Sequence, residues 1–149
     1  MANLIIPIGA DHRGFALKTG FVTWLNTHGF EAKDLGAHSP ERCDALDIAK
    51  AMAEAFTANA PRFGVLICGT GQAMAMTANR YAKLRAALCT NAEMARLARE
   101  HNDANVLALG ADITAPDEAL QILEVFLNTQ TLGGRYAERR DRLTELGGL

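Results

Sequence analysis

Phe63-Gly64-Val65-Leu66-Ile67-Cys68, followed by Gly69-Thr70-Gly71, is the stretch on which the fold turns. Its apolar residues run without alternation, so both faces of this strand are covered, and strands buried on both faces belong to parallel sheets flanked by helices. Upstream, Pro61 ends a helix expected over Asp44–Ala58, with Leu46, Ile48, Met52 and Phe56 as its apolar stripe. Before that come a short strand at Gly29–Leu35, a helix over Gly14–His28 carrying Phe15, Leu17, Phe21, Val22 and Leu25, and an apolar run at Asn3–Gly9. Downstream the alternation continues: a helix from Gln72 to Tyr81, a strand at Leu84–Cys89, a helix over Ala92–Glu100 and a strand at Val106–Leu109. Pro116 sits where the first turn of the next helix belongs, and that helix reaches Leu127. Gly133-Gly134 then opens a charged segment ending near Leu146. This order predicts a single Rossmann-like three-layer α/β/α domain over 1–149, with a five-stranded parallel sheet and a C-terminal helical extension.

Composition narrows the class. The 149 residues are 49% hydrophobic, enough to bury a core without metals or disulfides. Fifteen Lys+Arg against 17 Asp+Glu give a net charge of −2, which argues against nucleic acid as a partner. No apolar run approaches the roughly 20 residues a membrane span needs, so no membrane partner is expected. The N-terminal MANLIIPIGADHRG lacks a basic region and a small-residue cleavage site, which predicts a cytoplasmic protein. Cys43, Cys68 and Cys89 are odd in number and contain no C-x-x-C pair, so neither a disulfide framework nor a metal site is expected.

In doubly wound sheets ligands bind beyond the carboxyl ends of the strands. There the sequence puts Asp11-His12 after the first strand and Gly69-Thr70-Gly71 after the third. The glycine turn reads either as a backbone N–H cradle for an anion or oxyanion or as a plain tight turn. It matches neither a P-loop nor G-x-G-x-x-G, so no nucleotide cofactor is expected. Cys68, at the start of that turn, is a candidate base or nucleophile; Cys89 also ends a strand but has no glycine turn beside it. Asp11 suits either a ligand contact or a helix cap, and His12 beside it is a hydrogen-bonding group. His101 closes a helix, as His28 does. Arg135 and Arg139 share a helix face and suit a phosphate, or else belong to a solvated helix, since acidic residues interleave with them.

Taken together, Gly9-Ala10-Asp11-His12-Arg13-Gly14-Phe15, Leu66-Ile67-Cys68-Gly69-Thr70-Gly71, Ala78-Asn79-Arg80, Arg99-Glu100-His101-Asn102-Asp103-Ala104-Asn105-Val106-Leu107-Ala108-Leu109-Gly110 and Gly133-Gly134-Arg135 resemble the ribose-5-phosphate isomerase B family, which includes the galactose-6-phosphate isomerase subunits. The resemblance implies a cofactor-free and metal-free aldose–ketose isomerase working through a cis-enediolate on a sugar phosphate. It implies Cys68 as the base, Thr70 assisting it, and the backbone of Gly69, Gly71, Gln72 and Ala73 holding the enediolate oxygen. It further implies His101 as the ring-opening acid, Asp11, His12 and Asn102 on the sugar, and Arg135 with Arg139 on the phosphate. Its members form homodimers or tetramers with shared active sites, which predicts that the segment 133–146 packs on a partner subunit.

Three positions depart from the family pattern. Ala45-Leu46 stand where the family carries Tyr-Pro, Asp112 stands where it carries a phosphate-binding arginine, and Ala73 replaces a glycine of the turn. The expected reaction is ribose 5-phosphate to ribulose 5-phosphate. The alternatives are isomerisation of a different sugar, phosphorylated or not, and a non-catalytic sugar-binding subunit of a paired isomerase.

Overall fold

The computed structural model describes residues 3–146. Five strands, β1 (Leu4–Ala10), β2 (Phe30–Asp34), β3 (Gly64–Cys68), β4 (Ala86–Leu88) and β5 (Val106–Gly110), form one all-parallel sheet in the order β2-β1-β3-β5-β4. The helices are α1 (Phe15–Thr27), α2 (Ala45–Asn59), α3 (Gln72–Ala78), α4 (Ala92–Asn102), α5 (Pro116–Asn128) and α6 (Arg135–Leu146). The chain reverses its winding between β1 and β3, so the switch point, where a crevice opens in such sheets, lies at the ends of those two strands.

Strand periodicity divides the core into two layers. Val65, Ile67, Leu107 and Leu109 pack with Phe21 and Leu25 of α1, Ala95 of α4, and Ile122, Leu123 and Phe126 of α5. Leu66, Cys68, Val106 and Ala108 face the opposite layer, with Met52 and Phe56 of α2 and Met74 and Ala78 of α3. Helix starts follow local chemistry. The Asp44 carboxylate accepts the Leu46 N–H at 2.9 Å, the Asn91 side chain accepts the Met94 N–H at 2.8 Å, and Pro116 opens α5.

Two elements differ from expectation. Leu46 is not part of the buried stripe of α2: it is 52% exposed, and the helix buries Ala45, Ala49, Met52, Ala53, Ala55 and Phe56 instead. Alanines bring this helix close to β3, where a Cβ on Gly64 would lie 2.6 Å from the Met52 sulfur. Helix α3 ends at Ala78 rather than Tyr81, because the Asn79 side chain turns away to bond both the N–H and the C=O of Ala86, at 2.8 and 3.0 Å. That pairing also occupies backbone groups of Ala86 in β4, a three-residue strand at the edge of the sheet.

Candidate active site

The sequence candidates fall into two groups at opposite edges of the sheet. At the carboxyl edge, Cys68 ends β3 and its side chain is buried, with Sγ accepting the Gly71 N–H at 3.1 Å. Gly71 has φ +77°, a conformation that side chains rarely adopt, and this kink aims its N–H back at the sulfur. The turn continues into α3 through Gln72 and Ala73. Positive φ is needed at Gly71 and not at Ala73, which is ordinary helix, so the alanine costs nothing there. Thr70 is exposed and its hydroxyl accepts the Gln72 N–H at 3.3 Å. Cys89, the other cysteine that follows a strand, is buried, and burial pushes its thiol up to about 12.

The end of β1 forms the other wall, since Ala10 pairs with Ile67 in register. Asp11 is buried, and its Oδ1 accepts the N–H groups of Arg13 at 2.9 Å and Gly14 at 3.2 Å, so this carboxylate braces the entry to α1. His12 turns its Nδ1 to the Cys43 backbone, 3.3 Å from the carbonyl and 3.4 Å from the nitrogen. The buried Lys18 ammonium clamps the loop between them, bonding Asp34 at 2.7 Å and the Ala37 carbonyl at 2.5 Å. Asp112 reaches the same rim. Its Oδ2 lies 3.2 Å from Arg13 Nη1, and both atoms hang over Gly69, where a Cβ would come within 2.8 Å of that carboxylate oxygen.

The second group lies elsewhere. Helix α4 leaves the carboxyl edge after β4 and runs back, so His101 and Asn102 reach the edge where β3 and β5 begin. There the Gly64 N–H donates to the Asn105 carbonyl. Asp103 closes the helix in the left-handed region, φ 47°, and its carboxylate accepts from the buried Arg99 at 2.7 Å. Arg99 also bonds the Ala104 carbonyl at 2.6 Å and lies over Phe63 and Phe126. Burial lowers its pKa, with Asp103 opposing the shift. Helix α6 packs on α4 here, and Arg139 Nη2 donates to Asn102 Oδ1 at 3.2 Å. Arg135 and Arg139 therefore stand beside His101 and Asn102, not beside Cys68.

Along β3 alone the two edges are separated by four residue steps, about 13 Å at the usual strand rise. One chain thus carries a thiol half (Cys68, Thr70, the glycine turn, Asp11, His12), for which the sequence reading expects proton transfer, and a cationic half (His101, Asn102, Arg135, Arg139). The sequence flags Asp112 as a departure, but its ion pair with Arg13, and the part played by Tyr136, escape that reading. The Arg13–Asp112 pair spans residues far apart in the chain. Tyr136, between the two arginines, had a signal in the pattern Arg135-Tyr136-x-x-Arg139, an aromatic ring flanked by cations on one helix. Among the described residues no three His, Cys, Asp or Glu side chains cluster as a metal site would require, and no helix is long and apolar enough to cross a membrane.

Fold and site together define a doubly wound α/β protein in which Cys68, the glycine turn, Asp11 and His12 gather at the β1/β3 switch point. Residues 6–143 match the family model described as Ribose/Galactose Isomerase. The chain is 38% identical to the ribose-5-phosphate isomerase B of Escherichia coli K12 over 95% of each chain. Among solved structures it is similar to Clostridium thermocellum ribose-5-phosphate isomerase B (TM-score 0.93, 41% identity, 97% of each chain). It is likewise similar to the Mycoplasma genitalium ribose-5-phosphate isomerase B solved with bound ribulose 5-phosphate (TM-score 0.92, 34% identity, 97% of this chain and 96% of that one). The chain belongs to the ribose/galactose isomerase family.

Proposed function

We propose that this chain is an aldose–ketose isomerase converting ribose 5-phosphate to ribulose 5-phosphate. The observation that carries the reading is the Cys68 sulfur, seated at the end of β3 against the Gly71 N–H inside the Gly69–Gly71 turn. As thiolate, Cys68 removes the proton from C2 of the open-chain aldose, and the electron pair moves into an enediolate whose oxygens accept turn N–H groups. The proton returns from sulfur to C1, while the hydroxyl proton passes from O2 to O1 with Thr70 at hand. Asp11 and His12 contact the sugar hydroxyls. His101 donates a proton to the ring oxygen as the C1–O4 bond of the furanose breaks, the O1 hydroxyl proton leaving to solvent as C1 becomes the aldehyde; Asn102 orients the substrate, and Arg135 with Arg139 hold the phosphate.

Because the thiol and cationic halves stand at opposite edges of one sheet, a second copy of the chain supplies the cationic half to each site. The working species is a homodimer, or a tetramer built from two such dimers, of one-domain chains with α6 seated on the partner, acting in the cytoplasm. The Arg13–Asp112 pair favours a second reading of substrate: the carboxylate at the rim suits hydroxyl groups better than a dianion, so a different sugar is turned over on the same machinery.

The test is ketose formation by the purified protein on ribose 5-phosphate, ribose, allose 6-phosphate and erythrose 4-phosphate, with Cys68→Ala in parallel. Turnover of ribose 5-phosphate that vanishes in a folded Cys68→Ala protein supports the proposal. Activity confined to another sugar selects the second reading, and full activity without the thiol removes Cys68 as base.

A further inference from the structure

Three residues of the cationic half converge on one side chain with no role assigned so far. The His101 imidazole lies parallel to the Tyr136 ring, 4.1 Å between centroids and 3° between planes. Arg135 donates Nη2 to the Tyr136 hydroxyl at 3.1 Å, and its guanidinium carbon is 5.0 Å from the ring centroid. The Arg139 guanidinium carbon lies 5.6 Å from the same centroid, while its Nη2 reaches Asn102. Helix α6 buries none of its own residues, so its arginines have no core to hold them. A free arginine side chain spreads over many rotamers, and an aromatic face that attracts the guanidinium narrows that spread.

The stack also leaves the imidazole edge available. His28 makes a similar stack on Trp24, at 4.2 Å, but its Nδ1 is bonded to the Trp24 carbonyl at 2.7 Å and lies 3.1 Å from the Thr27 hydroxyl. Among the described residues neither ring nitrogen of His101 has such a partner. Face contact fixes the plane of the ring and leaves the edge that carries both nitrogens open to a hydrogen-bonding partner.

We infer that Tyr136 is a positioning residue: its ring fixes the plane of His101 and gathers Arg135 and Arg139 beside it, so that the acid and the phosphate-binding cations reach a sugar phosphate as one preassembled unit. The inference rests on the proposed roles of His101, Arg135 and Arg139. It assigns to Tyr136 no contact with the reacting atoms.

The experiment pairs NMR of the imidazole Cε1–H resonances with kinetics on Tyr136→Phe and Tyr136→Leu. His101 is one of four histidines, and its resonance is assigned by its disappearance in His101→Gln. In the parent the Tyr136 ring current shifts this resonance; Tyr136→Phe keeps the shift and Tyr136→Leu abolishes it. Tyr136→Leu raises KM for ribose 5-phosphate and lowers kcat/KM by about tenfold, whereas Tyr136→Phe stays within about threefold. Erythrose 4-phosphate cannot close a furanose because its O4 is esterified, so on any turnover of that sugar Tyr136→Leu costs less. Neither substitution touches the core, and thermal melting checks that both proteins remain folded. An unmoved His101 resonance, or parental kinetics, in Tyr136→Leu overturns the positioning role. If the resonance moves as expected but His101→Gln retains full activity, it is the assignment of His101 as acid that fails.

Discussion

Asp112 Oδ2 sits 3.2 Å from Arg13 Nη1 above Gly69, with both side chains about half exposed, so the pair is worth little to stability and matters through its field. A phosphate dianion about 6 Å from a carboxylate is disfavoured by roughly 1.4 kcal/mol even at the dielectric constant of water, a factor of about ten in affinity. Asp112→Asn should therefore lower KM for ribose 5-phosphate about tenfold, and Asp112→Arg, which replaces the repulsion by an attraction of similar size, further still. An unchanged KM in both would put the bound phosphate beyond the reach of this rim. Cys89 offers a test by pH. Burial raises its thiol from 9.0 to about 12, so above pH 9 the unfolded chain loses this proton while the folded chain keeps it. The unfolded state then binds fewer protons, and stability falls as pH rises, by at most about 1.4 kcal/mol per unit across that window. Cys89→Ala should flatten the decline in urea midpoint between pH 9 and 11 relative to the parent; parallel declines would mean that this thiol is not the cause. At this scale the candidate residues are legible as candidates, because a thiol beside a glycine turn and a His-Asn at a helix end are local patterns. The Arg13–Asp112 pair and the His101–Tyr136 stack are not, since each joins segments whose proximity only the packing decides.

Helix α2 shows where element-level reading succeeds and where it slips. Its existence, its start near Asp44 and its end near Pro61 follow from the sequence, but its buried face does not coincide with its largest residues. Leu46 and Met52 both look like core by size, yet Leu46 points outward while Met52 is fully buried against Gly64. Spacing by itself leaves the helix free to rotate by a residue, and it is the alanines at 45, 49 and 53 that let it approach β3. Met52→Ala should cost about 2–5 kcal/mol in urea unfolding, and Leu46→Ala less than about 0.5 kcal/mol. A comparable cost at Leu46 would mean that this face is covered, by a second copy of the chain or otherwise. Strand existence was legible throughout, because runs such as Val65–Cys68 and Val106–Leu109 are buried on both faces. The strand order was not, since the crossing that places β5 between β3 and β4 leaves no mark in either run.

At the scale of the molecule, the sheet itself separates the two groups of candidate residues. Parallel strands put every strand end on one edge, and every helix that follows a strand returns to the other, so a residue after β3 and a residue closing α4 end up apart. The sequence shows both halves but not their separation. Arg99, Asp103 and Tyr136 hold the His101 half rigid at its own edge, and Lys18 holds the loop beside the Asp11–His12 wall, so neither half has the freedom to cross the sheet. If a partner completes each site, inactive variants should complement one another. In a two-fold dimer of one Cys68→Ala chain and one His101→Gln chain, one site takes both defects and the other receives an intact sulfur and an intact imidazole. Full subunit exchange makes half of the dimers mixed, each with one intact site, so the mixture should recover roughly a quarter of parental activity from two nearly inactive proteins. The measurement is ketose formation after co-denaturing and refolding equal amounts of the two variants, against each variant refolded alone. Recovery near a quarter would establish a site shared between chains. No recovery, with exchange verified by mass spectrometry of the mixed species, would mean that each chain works alone and that His101 serves something other than the Cys68 site.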